Sequence, residues 1–415
     1  MQVFTCRTST NLCESQLDLS KLSHTFWVQF GQEALLITDE SDWHEILKNG
    51  ERRGTPLQIR PKPSEKKNLH LVVQKGRLFQ QEHPNIPVLM DKGRFLVVDL
   101  DPELVDSFNK GDEPCYAVRP LEENMVVFKE RPKTAARSIP AVWIQDLVEQ
   151  VSRSSLEANL IQLVSWSTRY STNAFYFEAA TWAREQLEKM DYNTQLESIV
   201  VRNSTSQNVI ADKPGYYSQT RDLVLVVAHL DSINNQDGPL ASAPGADDNG
   251  SGSAGLLEIA RVLNTYQNKH DLRFILFGGE EQGLFGSKQY IDSLNAAERT
   301  RIKAVLNMDM IGTINTDAPT VLLEGAPVSQ SVIDNLAEAA ETYTGLTVQT
   351  SLNPFASDHV PFIDVGIPAV LTIEGADSAN SNIHTANDTL THISYDLMLE
   401  ILRMNIAFIA SAVNQ

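Results

Sequence analysis

The chain has 415 residues, more than one ordinary hydrophobic core holds, so two domains are expected. Its 42% hydrophobic and 21% charged residues fit a globular protein, and its formal net charge of −19 excludes a nucleic-acid footprint, which needs a basic face. No run approaches the ~18 apolar residues of a membrane span, so no membrane association is expected.

The N-terminus, Met1 to Arg7, lacks a basic region followed by an apolar core, so no signal peptide is read there. A secreted or periplasmic location after removal of a signal is favoured over a cytoplasmic one. The three cysteines, Cys6, Cys13 and Cys115, cannot all pair within the chain. A Cys6–Cys13 bridge and three thiols both stay open.

Residues 1–20 are polar and read as a lead-in. An internal repeat follows between 25 and 121. Ala34–Thr38, a short apolar strand, leads to a capped helix ending at Gly50; 61 positions on, Phe95–Asp99 leads to a helix ending at Gly111. Strand candidates flank both copies: Thr25–Phe30 and Ile86–Met90 before, Thr55–Arg60 and Cys115–Pro120 after. A duplicated small α+β unit is predicted. The basic, Pro-containing run Lys129–Pro140 reads as an interdomain linker open to proteases. The expected domains are therefore 1–135 and 136–415.

The second domain opens with helices over Val142–Leu163 and Phe175–Met190. Short, nearly all-apolar strands follow at Leu223–Ala228, Leu272–Phe277, Ile302–Met308 and Ala369–Ile373, alternating with helices. Such runs fit parallel strands buried on both faces. Leu256, Ile259, Ala260 and Leu263 share one helical face, and Tyr395–Val413 is a further amphipathic helix. The predicted fold class is α/β: a three-layer helix–sheet–helix domain with a mostly parallel mixed sheet, preceded by a smaller α+β domain.

In open α/β sheets, sites form beyond the carboxyl ends of the strands. The first of these strands leads to His229 and Asp231, the next to Glu280 and Glu281, the third to Asp309. The last runs toward Glu374 and a loop bearing His384. Asp247 and Asp248 lie in a loop before a helix. Singly each signal is weak, since a strand-end His is usually structural and an Asp-Asp pair usually solvated. Together, imidazoles and carboxylates on one sheet edge suit a two-metal site, with zinc favoured by the nitrogen and oxygen donors. Gly245–Gly255 lacks the Gly-Lys-Ser/Thr ending of a phosphate loop.

The segments Ala-His-Leu-Asp-Ser, Pro-Gly-Ala-Asp-Asp-Asn-Gly-Ser-Gly, Gly-Gly-Glu-Glu-Gln-Gly-Leu-Phe-Gly-Ser, Asn-Met-Asp-Met-Ile-Gly and Asn-Ile-His-Thr-Ala-Asn-Asp-Thr resemble the di-zinc aminopeptidases, especially secreted bacterial leucyl aminopeptidases. The resemblance covers about 142–415, including Ser165-Trp-Ser-Thr-Arg-Tyr-Ser-Thr. It implies two zinc ions, with Asp247 bridging, His229 and Asp309 completing one site, and Glu281 and His384 the other. It implies a zinc-bridged water with Glu280 as general base, Asp231 orienting His229, and Asp248 following a cis peptide. Met310, Leu371, Ile373 and Ile383 match side-chain-pocket positions, so peptides with a Leu-like first residue are the expected substrates. The stretch Asn353–His359 lacks the Cys and Tyr common in this family. Asp358 and His359 read as structural or as supports of the metal ligands, His270 and His392 as surface residues. His24, His44, His70 and His83 show no ligand spacing.

A glutaminyl cyclase, normally using one zinc, a carboxypeptidase-like relative and a receptor-type ectodomain are the alternatives weighed. The intact donor set favours hydrolysis. Residues 1–135 suit a pro-region that covers the active-site mouth, with a permanent accessory domain as the rival.

Overall fold

The structure, a computed structural model, describes residues 2–7, 24–53, 57–60, 63, 65–108, 116–131 and 139–414. It divides into two compact units: Met1–Pro132 with Gln349–Phe355 and Ala376–Ala379, and the remainder from Lys133 onward. Two later segments thus belong with the N-terminal unit, which a boundary at 135 does not anticipate.

The first unit runs β1 (Gln2–Arg7), β2 (Thr25–Phe30), β3 (Glu33–Thr38), α1 (Glu40–Arg53), β4 (Leu57–Arg60), then β5 (Leu69–Gln74), α2 (Leu78–Glu82), β6 (Val88–Lys92), β7 (Phe95–Asp99), α3 (Val105–Phe108), β8 (Tyr116–Pro120) and β9 (Met125–Glu130). The strands order as β9-β2-β3-β1-β4 and β6-β7-β5-β8. The two halves share one strand order: each places a hairpin (β2–β3, β6–β7) beside an earlier strand (β1, β5) and then a later one (β4, β8). The repeat therefore starts one strand sooner than its sequence suggests. Each copy has its own apolar centre, Phe4, Trp27, Leu36 and Ile46 in one, Val72, Phe79, Leu96 and Val98 in the other.

Lys129 and Glu130, expected in the linker, are instead the end of β9, paired antiparallel with Thr350 and Gln349. The rest of the proposed cleavage stretch, 132–138, lies outside the described residues, as do Cys13 and Cys115; Cys6 is buried in β1. In the hairpin between β6 and β7, Arg94 is buried. Its Nη1 donates to Asp377 Oδ2 at 3.0 Å and its Nη2 to the Phe355 carbonyl at 3.1 Å.

The second unit opens with α4 (Val142–Val148), α5 (Arg153–Val164) and α6 (Ala174–Lys189). The single helix expected over 142–163 is two, because Ser152 takes extended backbone and caps α5, its side chain accepting from Ser155 N. Then come β10 (Asn193–Val201), β11 (Ser204–Lys213), β12 (Leu223–His229), α7 (Gly252–Leu263), β13 (Asp271–Phe277), α8 (Phe285–Ser293), α9 (Ala296–Arg301), β14 (Ile302–Met308), β15 (Thr320–Glu324), α10 (Gln330–Tyr343), β16 (Thr347–Ser351, whose last three residues belong with the first unit), α11 (His359–Asp364), β17 (Ala369–Glu374) and α12 (Tyr395–Ala412).

Its sheet orders β10-β11-β13-β12-β14-β17-β15. The four strands predicted from apolar runs form its parallel centre, β13, β12, β14 and β17. β11 and β15 flank them antiparallel. Alternate residues of β12 serve opposite faces. Val224, Val226 and Ala228 join a core with Leu160, Ala180, Leu256, Leu336 and Ile401, while Leu223, Leu225 and Val227 pack with Ile291 and Phe362. Helices thus cover both faces, which gives the three layers. Each fully buried Leu, Val or Phe contributes about 2 kcal/mol, so this centre is a rigid platform for what lies at its end. His270, expected at the surface, is buried; its Nδ1 accepts from Asp222 N at 3.0 Å.

Candidate metal centre

Three parallel strands deliver donors at neighbouring carboxyl ends. β12 ends in His229, β13 leads to Glu280 and Glu281, and β14 to Asp309. Asp248 comes from the coil preceding α7, and His384 from the loop after β17. His229, Asp248, Glu280, Asp309 and His384 are all buried.

One carboxylate joins the two imidazoles. Asp248 Oδ1 lies 3.2 Å from His229 Nε2, and Oδ2 lies 3.0 Å from His384 Nε2. Around the first imidazole, Asp309 Oδ1 is at 3.2 Å and Glu280 Oε2 at 3.9 Å. Beside the second, Glu281 Oε2 is at 3.0 Å. Donor atoms of His229, Asp248 and Glu281 all fall within 4.8 Å of one another, as do those of His229, Glu280 and Asp309.

The carboxylate in the bridging place is therefore Asp248, which corrects the assignment of Asp247. Asp247 points the other way. Its Oδ1 accepts from Gly312 N at 2.9 Å, and its Oδ2 from Thr313 Oγ1 at 2.5 Å and Asn380 Nδ2 at 2.8 Å. Consecutive side chains cannot both face one point here. The three donors around Asp247 decide which of the pair turns inward. The cis peptide also falls after Asp248, between it and Asn249, rather than before it.

Local backbone explains the run of glycines. Gly245 has φ +54°, and a Cβ there would sit 2.5 Å from the Asp248 carbonyl oxygen. At Gly252 a Cβ would meet Asn249 Oδ1 at 2.3 Å, where that oxygen accepts from Gly252 N.

A second ring of residues fixes the donors. Asp231 does more than flank His229, whose Nδ1 is 3.7 Å from Oδ1. Its two oxygens also accept the backbone N–H groups of Glu280 and Glu281, at 3.3 and 3.2 Å. Ser357 Oγ donates to Asp309 Oδ2 at 2.8 Å. Asn235 lies 3.2 Å from His384 Nδ1. Asp388 accepts from the backbone N–H groups of Asp247 and Asp248, at 2.9 and 3.0 Å. Asp388, Asn235 and Ser357 had no assigned role from sequence. Asp388 does lie in the quoted Asn-Ile-His-Thr-Ala-Asn-Asp-Thr segment, the one signal that could have found it. Met310, Leu371, Ile373 and Ile383 are all buried.

The electrostatics fit a cation centre. Burial pulls the His229 imidazole down, but Glu280, Asp309, Asp231 and Asp248 overcome it and hold the group well above its usual range. His384 is raised likewise, by Glu281 and Asp248 against burial. Asp248 is held well below the usual carboxylate range, because both imidazoles outweigh its burial. Burial pushes Asp247 up to about 6, opposed by its hydrogen bonds from Thr313 and Gly312. Both oxygens of Asp248, Glu281 Oε1 and His384 Nε2 are buried without a hydrogen-bond partner. Converging, buried nitrogen and oxygen atoms left without hydrogen-bond partners are what a borderline divalent cation satisfies, so the residues fit zinc.

This fold with this donor set suits a metal-dependent enzyme. Residues 208–409 match the family model described as peptidase family M28. Leucine aminopeptidase 1 of Coccidioides posadasii is 31% identical over 327 residues, covering 74% of this chain and 82% of that one. The chain belongs to peptidase family M28 and is a metalloexopeptidase of the aminopeptidase type. Among solved structures, the LapA aminopeptidase of Legionella pneumophila is similar over 84% of this chain and 98% of its own, with a TM-score of 0.60 at 20% identity. The glutaminyl cyclase of Porphyromonas gingivalis is similar over 64% and 99%, with a TM-score of 0.52 at 21% identity. At these identities the likeness is one of fold, and the fold alone separates neither chemistry.

Proposed function

We propose that this chain removes the first residue, of Leu-like apolar character, from peptides at a centre holding two zinc ions. The observation that carries this reading is the single carboxylate of Asp248 spanning two imidazoles, each with its own further carboxylate. His229 and Asp309 would hold one ion, His384 and Glu281 the other, and Asp248 both. When bound, the ions acidify water toward neutrality and polarise the scissile carbonyl. Glu280 would accept a proton from the attacking water and return it to the leaving amine, since its carboxylate lies beside the donor set. Asp231 would keep Glu280 and Glu281 aimed by holding both of their backbone N–H groups. The buried side chains of Met310, Leu371, Ile373 and Ile383 are the candidates for an apolar pocket around the first residue.

Leu-p-nitroanilide hydrolysis that a chelator abolishes and zinc restores, with about two zinc ions per chain, is the expected result. Preference for an Arg or Glu substrate would overturn the pocket reading. Cyclisation of an N-terminal glutamine without peptide hydrolysis would overturn the aminopeptidase reading.

For the N-terminal unit we favour a retained accessory domain over a removable pro-region. Three bonds inside that unit support this. Arg94 holds Asp377, Ser378 Oγ donates to the Gln74 carbonyl at 2.9 Å, and Ser351 Oγ donates to the Val127 carbonyl at 2.7 Å. Each ties an N-terminal residue to a segment from late in the chain. An exported location belongs to this reading as well. Among the described residues no helix is long and apolar enough to cross a membrane.

A further inference from the structure

Arg169 is a charged side chain with no accessible surface. It lies in the Ser165-Trp-Ser-Thr-Arg-Tyr segment, to which the function above gives no task. Its guanidinium donates four hydrogen bonds, all to backbone carbonyls. Nε reaches Leu230 at 2.8 Å, Nη1 reaches Leu163 at 3.0 Å and Pro244 at 2.6 Å, and Nη2 reaches Gly245 at 2.9 Å. Leu230 directly follows His229. Pro244 and Gly245 lead directly into Ala246, Asp247 and Asp248. One planar fork therefore pins the exit of β12 to the entry of the coil that carries the bridging carboxylate.

The backbone of Arg169 closes the same gap. Its N–H donates to Ser232 Oγ at 3.0 Å, and Ser232 Oγ donates onward to the Ala243 carbonyl at 2.8 Å. Two residues before it, the Ser167 carbonyl accepts from Ala243 N at 2.7 Å. The charge matters as well as the shape. Asp231, Asp248, Glu281 and Asp388 all act on this guanidinium. A fixed cation among them offsets their mutual repulsion whether or not a metal is bound.

A buried cation bonded only to carbonyls is costly, and a hydrophobic side chain with a water would fill the same space. The carbonyls it selects explain its presence. Lysine cannot replace it: an ammonium has three donors and no plane, and cannot span carbonyls from three chain segments.

We propose that Arg169 is a positioning residue that fixes the spacing between the His229 and Asp248 donors and thereby sets how tightly the centre retains zinc. The inference rests on the reading of that centre as a zinc site. The test is a competition between the full-length protein and a chromogenic chelator for zinc, run on wild type, R169K and R169Q. Tyr192→Phe is the control. It deletes another buried hydrogen bond, from Tyr192 Oη to the Ala260 carbonyl at 2.8 Å, away from the donor loops.

The expected result is zinc binding weakened by about 10–100-fold in R169Q and by a smaller factor in R169K. Tyr192→Phe should lose thermal stability with its zinc affinity unchanged. Excess zinc should restore turnover in R169K, as it would not for a lost catalytic group. If R169Q does not fold, R169K alone decides: wild-type zinc affinity in it overturns the proposal. Equal weakening in Tyr192→Phe, at equal loss of melting temperature, overturns it too by reducing the effect to general stability. A wild-type chain that binds no zinc overturns the zinc reading itself, and is told apart from a variant that binds as wild type does.

Discussion

Exchanging the roles of two neighbouring aspartates is the sharpest test of the centre. Asp248→Asn removes the one carboxylate that lies 3.2 Å from one imidazole and 3.0 Å from the other. Binding of zinc to four-ligand sites is worth ~10–16 kcal/mol in total, or ~3 kcal/mol per ligand, so each ion should be held ~100-fold more weakly. Asp247→Asn is a different lesion. Its oxygens accept three hydrogen bonds, two of them on Oδ2, from Thr313 and Asn380. An amide has one acceptor oxygen, so at least one buried donor loses its partner, at a cost of ~1–3 kcal/mol. Zinc content, measured on both variants, should therefore tell them apart. Asp248→Asn should lose metal, and its metal-free form also loses the carboxylate that pairs with both imidazoles. Asp247→Asn should keep about two ions and melt earlier. Retention of zinc by Asp248→Asn together with its loss in Asp247→Asn would refute the geometry.

Glu280→Gln should lower kcat by ~100–10,000-fold while zinc content stays unchanged, and full activity in that variant would remove the general base from the mechanism. Arg94→Ala removes the buried cation that pairs with Asp377, both side chains of the pair being 2% exposed, so a loss of up to ~3–5 kcal/mol is expected in chemical denaturation. Trypsin treatment of the full chain at Lys133–Arg137 should not raise Leu-p-nitroanilide turnover; a sustained rise would restore the pro-region reading. Asp358 gives a pH signature in the metal-free protein. Burial is the chief cause that pushes its carboxyl from 3.8 up to about 7, against the opposing pull of His229 and Ser287. The folded state then holds a proton that the unfolded state has released. Stability should therefore fall as pH rises from about 4 to about 7 and level off above, by at most ~4 kcal/mol. Asp358→Asn should flatten that slope, and an unchanged slope would refute the assignment.

The sequence alone determined the parallel centre of the second unit. β12, β13, β14 and β17 are apolar at nearly every position, and only strands covered on both faces bury such runs. It also marked which segments bring the candidate donors to one sheet edge, because a strand's carboxyl end is fixed by where its apolar run stops. β10 and β11 escaped notice because they carry so many polar side chains that no apolar run announces them. Only the tertiary structure decided between Asp247 and Asp248. Both have the same side chain and neighbouring places in the chain, and the choice depends on Gly312, Thr313 and Asn380, more than sixty positions later. The same holds for Asp388, which holds the backbone of that pair, and for Arg169, a polar residue in a loop by sequence and a buried clamp in the fold. Which carboxylate of the pair faces the two imidazoles is set by which one has no other hydrogen-bond donor to satisfy it, and that depends on contacts between residues far apart in the chain.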